Sequence, residues 1–197
     1  MTRGKTPRRV LLSVAAVCGL LAMTSTVVRA ERPNIPEKIQ VGLLAKVLAF
    51  DRGFVKRTEG TAQVAIVYRP HDTDSEYSAQ QIKLALDQTP TLGGVQHQDT
   101  LLAYPGASEL AALCERNRTS VVLLSTGFGG EAGVIADALT SQSLVTASTS
   151  PADVTRGIMV GFELASGRPL IEIQLERARA QGIDFNADFL RLVKVIQ

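Results

Sequence analysis

Three side chains that could hold a metal ion lie close together in the first half of the chain. His71, Asp72 and Asp74 follow residues 63–68, whose β-branched side chains predict a buried strand. Open α/β sheets place sites at this end of a strand, and imidazole and carboxylate groups are metal ligands. Asp and Thr are equally typical of turns and helix caps. The structural role is the one we favour, and we predict no metal site.

A glycine-rich segment offers a second kind of chemistry. Gly127, Gly129 and Ala132 satisfy the G-x-G-x-x-A spacing of a dinucleotide-binding loop. Such a loop should follow the first strand, with an acidic residue about 20 positions later. Here it follows a late strand, and Asp153 lies in a predicted turn. A flexible strand-to-helix turn explains the glycines, so we predict no cofactor.

The most strongly patterned stretch is a predicted β-hairpin near the C-terminus. Residues 157–164 and 169–175 alternate in polarity and are joined by Ser166 and Gly167, a two-residue loop suited to positive φ angles. A shift of one residue would scatter the apolar side chains over both faces, which specifies the register strongly. The predicted apolar pairs are Phe162 with Ile171, Val160 with Ile173, and Ile158 with Leu175.

This register places Glu163 and Glu172 on the opposite face, on a diagonal of roughly 7–8 Å. Paired carboxylates are the machinery of many glycoside hydrolases. An edge hairpin also needs charges that prevent edge-to-edge pairing, and we prefer that interpretation. With two histidines and no G-x-S-x-G motif, a serine triad is poorly supported. We therefore expect a protein that is not an enzyme.

The earlier elements alternate between strand and helix patterns. This alternation predicts an α/β fold with a mainly parallel sheet flanked by helices and closed by the C-terminal antiparallel hairpin and a helix. A wide apolar stripe on the first helix must be buried, and Thr73 and Glu76 form a capping-box pattern. Cys114 lies at helical spacing with Leu110 and Leu113, which favours a small buried side chain. A reactive thiol or an intermolecular disulfide is the alternative.

Residues 1–30 have the pattern of an export signal. A basic start is followed by a largely apolar run of fourteen residues at 10–23, and Val28 and Ala30 suit a cleavage site after Ala30. The apolar run is short for a transmembrane helix, although an uncleaved anchor is the alternative. We expect the mature chain, residues 31–197, to be one domain in the periplasm without direct membrane insertion.

Removal of this segment changes the charge of the chain. It contains five of the 21 Lys and Arg residues and none of the 19 acidic ones, which leaves 16 basic against 19 acidic residues, a net charge of −3. No basic stripe interleaved with aromatic residues predicts nucleic-acid binding.

Several segments carry a family resemblance. The hairpin sequence G-I-M-V-G-F-E-L, S-G-R-P and I-E-I-Q-L-E-R-A-R, followed by D-F-N-A-D-F-L-R-L-V-K-V, resembles the C-terminal end of the YfiR-like family. The helix L-L-A-K-V-L-A-F-D-R and the strand S-V-V-L-L-S extend the resemblance over nearly all of the mature chain. Gln174 stands where that family would be expected to have Asn.

The resemblance implies a periplasmic regulator without catalytic activity. It implies docking on the periplasmic domain of an inner-membrane signalling protein, typically a diguanylate cyclase, which is held inactive until envelope stress releases it. Asp51 and Arg52 are candidate partner-binding residues, with a solvated surface pair as the alternative. A periplasmic small-ligand carrier or sensor is the competing function, and a homodimer stays open.

Overall fold

The computed structural model describes residues 1–2 and 35–197, so the predicted signal and its cleavage site lie outside the described residues. The helices of residues 35–197 are α1 (Glu37–Ala49), α2 (Phe54–Arg57), α3 (Thr73–Asp87), α4 (Ala107–Arg116), α5 (Ala132–Ala138), α6 (Leu175–Ala180) and α7 (Ala187–Leu190), with a 3₁₀ helix at Pro151–Arg156. The strands are β1 (Thr61–Tyr68), β2 (Gln96–Ala103), β3 (Val121–Leu124), β4 (Val145–Ser148), β5 (Val160–Ala165), β6 (Arg168–Gln174) and β7 (Lys194–Ile196).

These strands form one seven-stranded sheet in the order β2-β1-β3-β4-β5-β6-β7. The neighbours from β2 to β5 are parallel, the β5–β6 pair is antiparallel, and β7 is parallel to β6. The predicted α/β fold with a mainly parallel sheet and a C-terminal antiparallel hairpin is confirmed. The hairpin does not form the edge, however, because β7 follows the last helix and pairs outside β6.

The sheet separates two apolar layers, because side chains alternate along each strand. Val64 and Ile66 of β1 pack in the layer that contains α1 and α3, whereas Val67 packs in the layer that contains α4 and α5. Cys114 is buried in the second layer, which agrees with its expected structural role. Burial also raises the pKa of its thiol to about 11, which disfavours the reactive thiolate.

The predicted apolar stripe of the first helix, which included Val47, Phe50 and Phe54 with Leu44 and Leu48 beside them, is only partly correct. Leu44, Val47 and Leu48 are fully buried, but α1 ends at Ala49. Phe50 is therefore outside the helix and 36% exposed. Its ring instead covers Phe189 of α7.

The hairpin has the predicted register at two of its three apolar pairs. Val160 lies opposite Ile173 and Phe162 opposite Ile171, while the loop residues Ser166 and Gly167 have φ angles of 50° and 76°. The third pair, Ile158 with Leu175, is wrong. Leu175 begins α6, and Ile158 packs in the layer beside α4 and α5 because β5 starts only at Val160.

Candidate functional site

Polar side chains meet where β1, β3 and β4 end, beside the first turn of α3. The hydroxyl oxygens of Ser75 and Ser125 are 2.7 Å apart, and both side chains are buried. Ser75 Oγ also accepts a hydrogen bond from the backbone N–H of Arg69 at 2.9 Å. Thr149 is 1% exposed, and its hydroxyl has no hydrogen-bond partner within residues 35–197. Because strand order reverses between β1 and β3, this is the edge where an open α/β sheet usually carries a site.

A buried carboxyl group lies at the same edge, after β4. Ser148 Oγ donates a hydrogen bond of 2.7 Å to Asp153 Oδ2, and Arg156 Nη1 is 3.5 Å from Oδ1. Burial raises the pKa of Asp153, while the Ser148 hydrogen bond and the Arg156 charge lower it in part. This carboxyl group is held by its neighbours and has no exposed oxygen surface with which to contact a substrate.

The glycine-rich loop lies between these two groups and is packed on both sides. A Cβ atom at Gly127 would be 3.1 Å from Asp72 Oδ2, and one at Gly129 would be 3.5 Å from Arg156 Nη1. Between them, the buried ring of Phe128 meets Tyr104 edge-on, with centroids 5.3 Å apart. The protein's own side chains occupy the space beside the loop, which supports the interpretation as a structural turn.

The three potential metal ligands after β1 serve the start of α3. Asp72 is the N-cap and accepts from the N–H of Ser75 at 3.1 Å. Glu76 accepts from the N–H of His71 at 3.0 Å. The predicted N-cap, Thr73, is therefore wrong by one residue, whereas Glu76 does accept a backbone hydrogen bond at this helix start. His71 has a φ angle of 67°. Within residues 35–197, no group of three or more His, Cys, Asp and Glu residues is placed to hold a metal ion.

Glu163 and Glu172 share one face of the hairpin, as predicted, but a lysine joins them. Lys194 Nζ of β7 lies 2.6 Å from Glu172 Oε1 and 3.0 Å from Glu163 Oε2. The Glu172 side chain is only 6% exposed, so it is not the solvated edge charge that the sequence suggested. A cation between the carboxylates is incompatible with a sugar ring between them, which removes the geometric basis for a hydrolase. The alternating V-K-V-I pattern was the one sequence signal for β7.

The two candidate partner-binding residues differ in their exposure to solvent. Asp51 has a fully buried side chain that forms an ion pair with Arg57 and accepts from the N–H of Gly53 at 2.9 Å. The expectation of a surface pair is therefore wrong for Asp51. Arg52 has a side chain that is 63% exposed, and its Nη1 is 3.4 Å from Asp184 Oδ2. Partner binding by either residue stays a prediction.

An exposed apolar surface adjoins Arg52. The rings of Phe50 and Phe189 stack with centroids 4.7 Å apart, and the N–H of Leu192 bonds to the carbonyl of Phe189. Leu192 is 74% exposed. We call Phe50, Arg52, Asp184 and Leu192 the C-terminal face. Sequence analysis missed it because the contact between Phe50 and Phe189 joins the two ends of the described chain.

An open depression of about 550 Å³ lies at the amino ends of the strands, the end of the sheet opposite the polar clusters around Ser75 and Asp153. The residues that line it are of polar types and include Arg57, Glu59, Gln63 and Arg118. Ligand pockets are usually apolar and concave with a few polar groups. A smaller space of about 50 Å³ beside Cys114 has room for little more than water.

The described elements define an α/β protein in which most side chains of the polar clusters have hydrogen-bond or ion-pair partners within the protein itself. Among residues 35–197, no helix is long and apolar enough to cross a membrane. The YfiR/HmsC-like family model matches residues 91–194, which is more than half of the chain, and the chain belongs to this family. No curated protein matches the sequence.

Solved structures share the fold at low sequence identity. A conserved domain protein from Vibrio cholerae O1 biovar El Tor has a TM-score of 0.60 and 11% identity over 85% of this chain and 62% of its own. A ligand-free, open substrate binding protein with adhesive properties from Clostridium difficile has a TM-score of 0.53 and 8% identity over 73% of this chain and 58% of its own. The ABC domain in complex with L-Trp from Streptococcus pneumonia has a TM-score of 0.57 and 11% identity over 82% of this chain and 60% of its own. This chain thus spans about three fifths of each of these structures.

Proposed function

We propose that this protein is a periplasmic, non-enzymatic regulator that binds the periplasmic domain of an inner-membrane signalling protein and represses it. The proposed signalling protein is a diguanylate cyclase, which links the regulator to biofilm formation and envelope stress. Membership of the YfiR/HmsC-like family is the observation that carries this proposal. The resemblance, and no individual side chain, supplies the identity of the partner.

The candidate catalytic groups are already paired with other groups of the protein, which supports a binding role. Asp153 is held by Ser148, Asp72 caps α3, and Glu172 pairs with Lys194. The C-terminal face, by contrast, offers exposed apolar and charged side chains together. Apolar surface surrounded by charges is the usual composition of a docking surface.

Repression requires different affinities for two states of the receptor. A regulator that bound the active and inactive states equally would shift nothing, however tight its binding. We therefore expect the protein to bind the inactive state of the receptor more tightly. Stress would release the cyclase by removing this preference or the regulator itself.

The test combines a cellular and a direct measurement. Deletion of the gene should raise cyclic-di-GMP, and the purified protein should bind the periplasmic domain of a membrane cyclase encoded nearby. Unchanged cyclic-di-GMP together with no binding to that domain would contradict the proposal.

The periplasmic location has its own test, intact-mass analysis of the protein recovered from the envelope. We expect a mature chain that begins at Glu31. A mass that retains residues 1–30, together with membrane association, would contradict the predicted cleavage after Ala30.

A small-ligand carrier or sensor is the second candidate. Two solved structures with this fold are a substrate binding protein and a domain bound to L-Trp. Periplasmic binding proteins close two domains around their ligand, and the open depression at the strand starts is a space that a ligand could occupy. Native mass spectrometry of protein purified from the periplasm distinguishes the two functions. A retained small molecule that is lost in an Arg118→Glu variant would favour the carrier.

A further inference from the structure

The last strand of the chain covers less than half of the strand beside it. β6 has seven residues, whereas β7 has three and pairs with Glu172, Ile173 and Gln174 alone. Arg168 and Pro169 are exposed, and Leu170 and Ile171 are partly so. Among the residues described, β7 therefore pairs with only the end of this outer edge, and it leaves unpaired the outward-facing N–H of Ile171 and the carbonyl of Pro169. Unpaired strand edges are templates for another extended chain.

The carboxylates beside this edge determine which charged side chain a bound segment must have. Lys194 of β7 places its ammonium group between Glu172 and Glu163, at 2.6 and 3.0 Å. Glu172 is nearly buried, and a buried carboxylate is costly without a cation beside it. A segment that took the place of β7 would need a Lys or Arg at this position.

The apolar face fixes a second requirement. Val195 lies opposite Ile173, which is fully buried in the layer beside α1 and α3. Because side chains alternate, the residues directly before and after the cation face this same apolar side. β-Branched residues suit both positions.

We propose that the outer edge of β6 is a strand-binding site for a partner protein. The partner contributes an extended segment parallel to β6, with a Lys or Arg between two β-branched residues, and this segment replaces β7. A segment as long as β6 gains backbone hydrogen bonds to the outward-facing groups that β7 leaves open, which are the N–H of Ile171 and the C=O of Pro169. This additional pairing offsets the advantage that β7 has from being tethered, which corresponds to an effective concentration in the millimolar range.

The site would bind such a segment whichever protein supplies it. Its assignment to the receptor of the regulator rests on the proposed function. The two claims are therefore tested separately, first with a peptide and then with the receptor domain.

The peptide test uses the full mature chain and a fluorescent probe, Thr-Val-Thr-Val-Lys-Val-Ile, which is as long as β6. Fluorescence anisotropy should show saturable binding, and a matched probe with Glu in place of Lys should bind at least about tenfold more weakly. Val195→Asp should free the edge and strengthen binding of the Lys probe. Equal binding of the two probes would overturn the proposal, as would no binding to a Val195→Asp chain with native circular dichroism.

A disulfide lock keeps the test valid if Val195→Asp does not fold. Gln174 and Ile196 are opposite each other in the β6–β7 pair, so Gln174→Cys with Ile196→Cys can hold β7 in place. Probe binding should be lost when this variant is oxidised and return when it is reduced. Equal probe binding in both redox states would overturn the proposal. If the probe is blocked but the receptor domain binds both states equally, the receptor uses another surface and the regulatory function stands.

Discussion

Arg57 Nη1 donates a hydrogen bond of 3.3 Å to Oδ1 of Asp51, whose side chain is fully buried. This contact joins the turn after α1 to α2. It also explains why adjacent residues of the sequence have different roles. Asp51 holds the turn together, whereas Arg52 projects from it with 63% of its side chain exposed.

Asp51→Ala should therefore be much more destabilising than Arg52→Ala. Removal of the buried carboxylate leaves the Arg57 guanidinium, which is 19% exposed, without its ion-pair partner. The expected loss of unfolding free energy is on the order of 3 kcal/mol. Loss of the exposed Arg52 pair should cost less than about 1 kcal/mol. Urea titrations of both variants measure the difference, and equal losses would contradict the buried pair.

The hairpin register predicts a second contrast in stability. Phe162 is 1% exposed, and Phe162→Ala should cost roughly 3–5 kcal/mol because it leaves a cavity in the core. Phe50→Ala removes a ring that is 36% exposed, and its stacking on Phe189 contributes only about 0.5–1.5 kcal/mol beyond its burial. Comparable losses in denaturant titrations would show that the register or the burial of this face is wrong.

Sequence periodicity predicted the sheet and two hairpin pairs because both depend on alternation within a single segment. It could not locate Asp51, since a charged residue next to another charged residue carries no local sign of burial. Burial there depends on Arg57, six positions later, and on a backbone pairing with Phe185. The exposure of Glu172 was predicted wrongly for the same reason. Its exposure depends on β7, whose three residues give a periodic signal too short to stand out from a helix.

Lys194 predicts a pH dependence at the alkaline end. Hydrogen bonds to Glu172 and then to Glu163 raise the pKa of Lys194 above its ordinary value of 10.5. The folded state therefore holds this proton more tightly than the unfolded state does. The stabilisation is complete below pH 10.5 and is lost as the pH rises through the raised pKa. Thermal unfolding from pH 9 upward, with Lys194→Met as the comparison, should show a steeper loss for the natural chain. Parallel curves would contradict the assignment.

Docking through the C-terminal face predicts that Arg52→Glu weakens receptor binding. Reversal of an exposed charge changes mainly the association rate and its salt dependence, so the loss should be modest and greatest at low salt. Arg118→Glu is the matched control, because Arg118 is also exposed and its Nη1 is likewise 3.4 Å from a carboxylate, that of Glu59. Arg118 lines the open depression at the amino ends of the strands, whereas the exposed Arg52 side chain does not. Surface plasmon resonance against the cyclase's periplasmic domain, with cellular cyclic-di-GMP as the second measurement, should show an effect for Arg52→Glu alone. If Arg118→Glu weakens binding as much, the effect reflects net charge, and if it acts alone, docking occurs at the open depression beside Arg118 and not through Arg52.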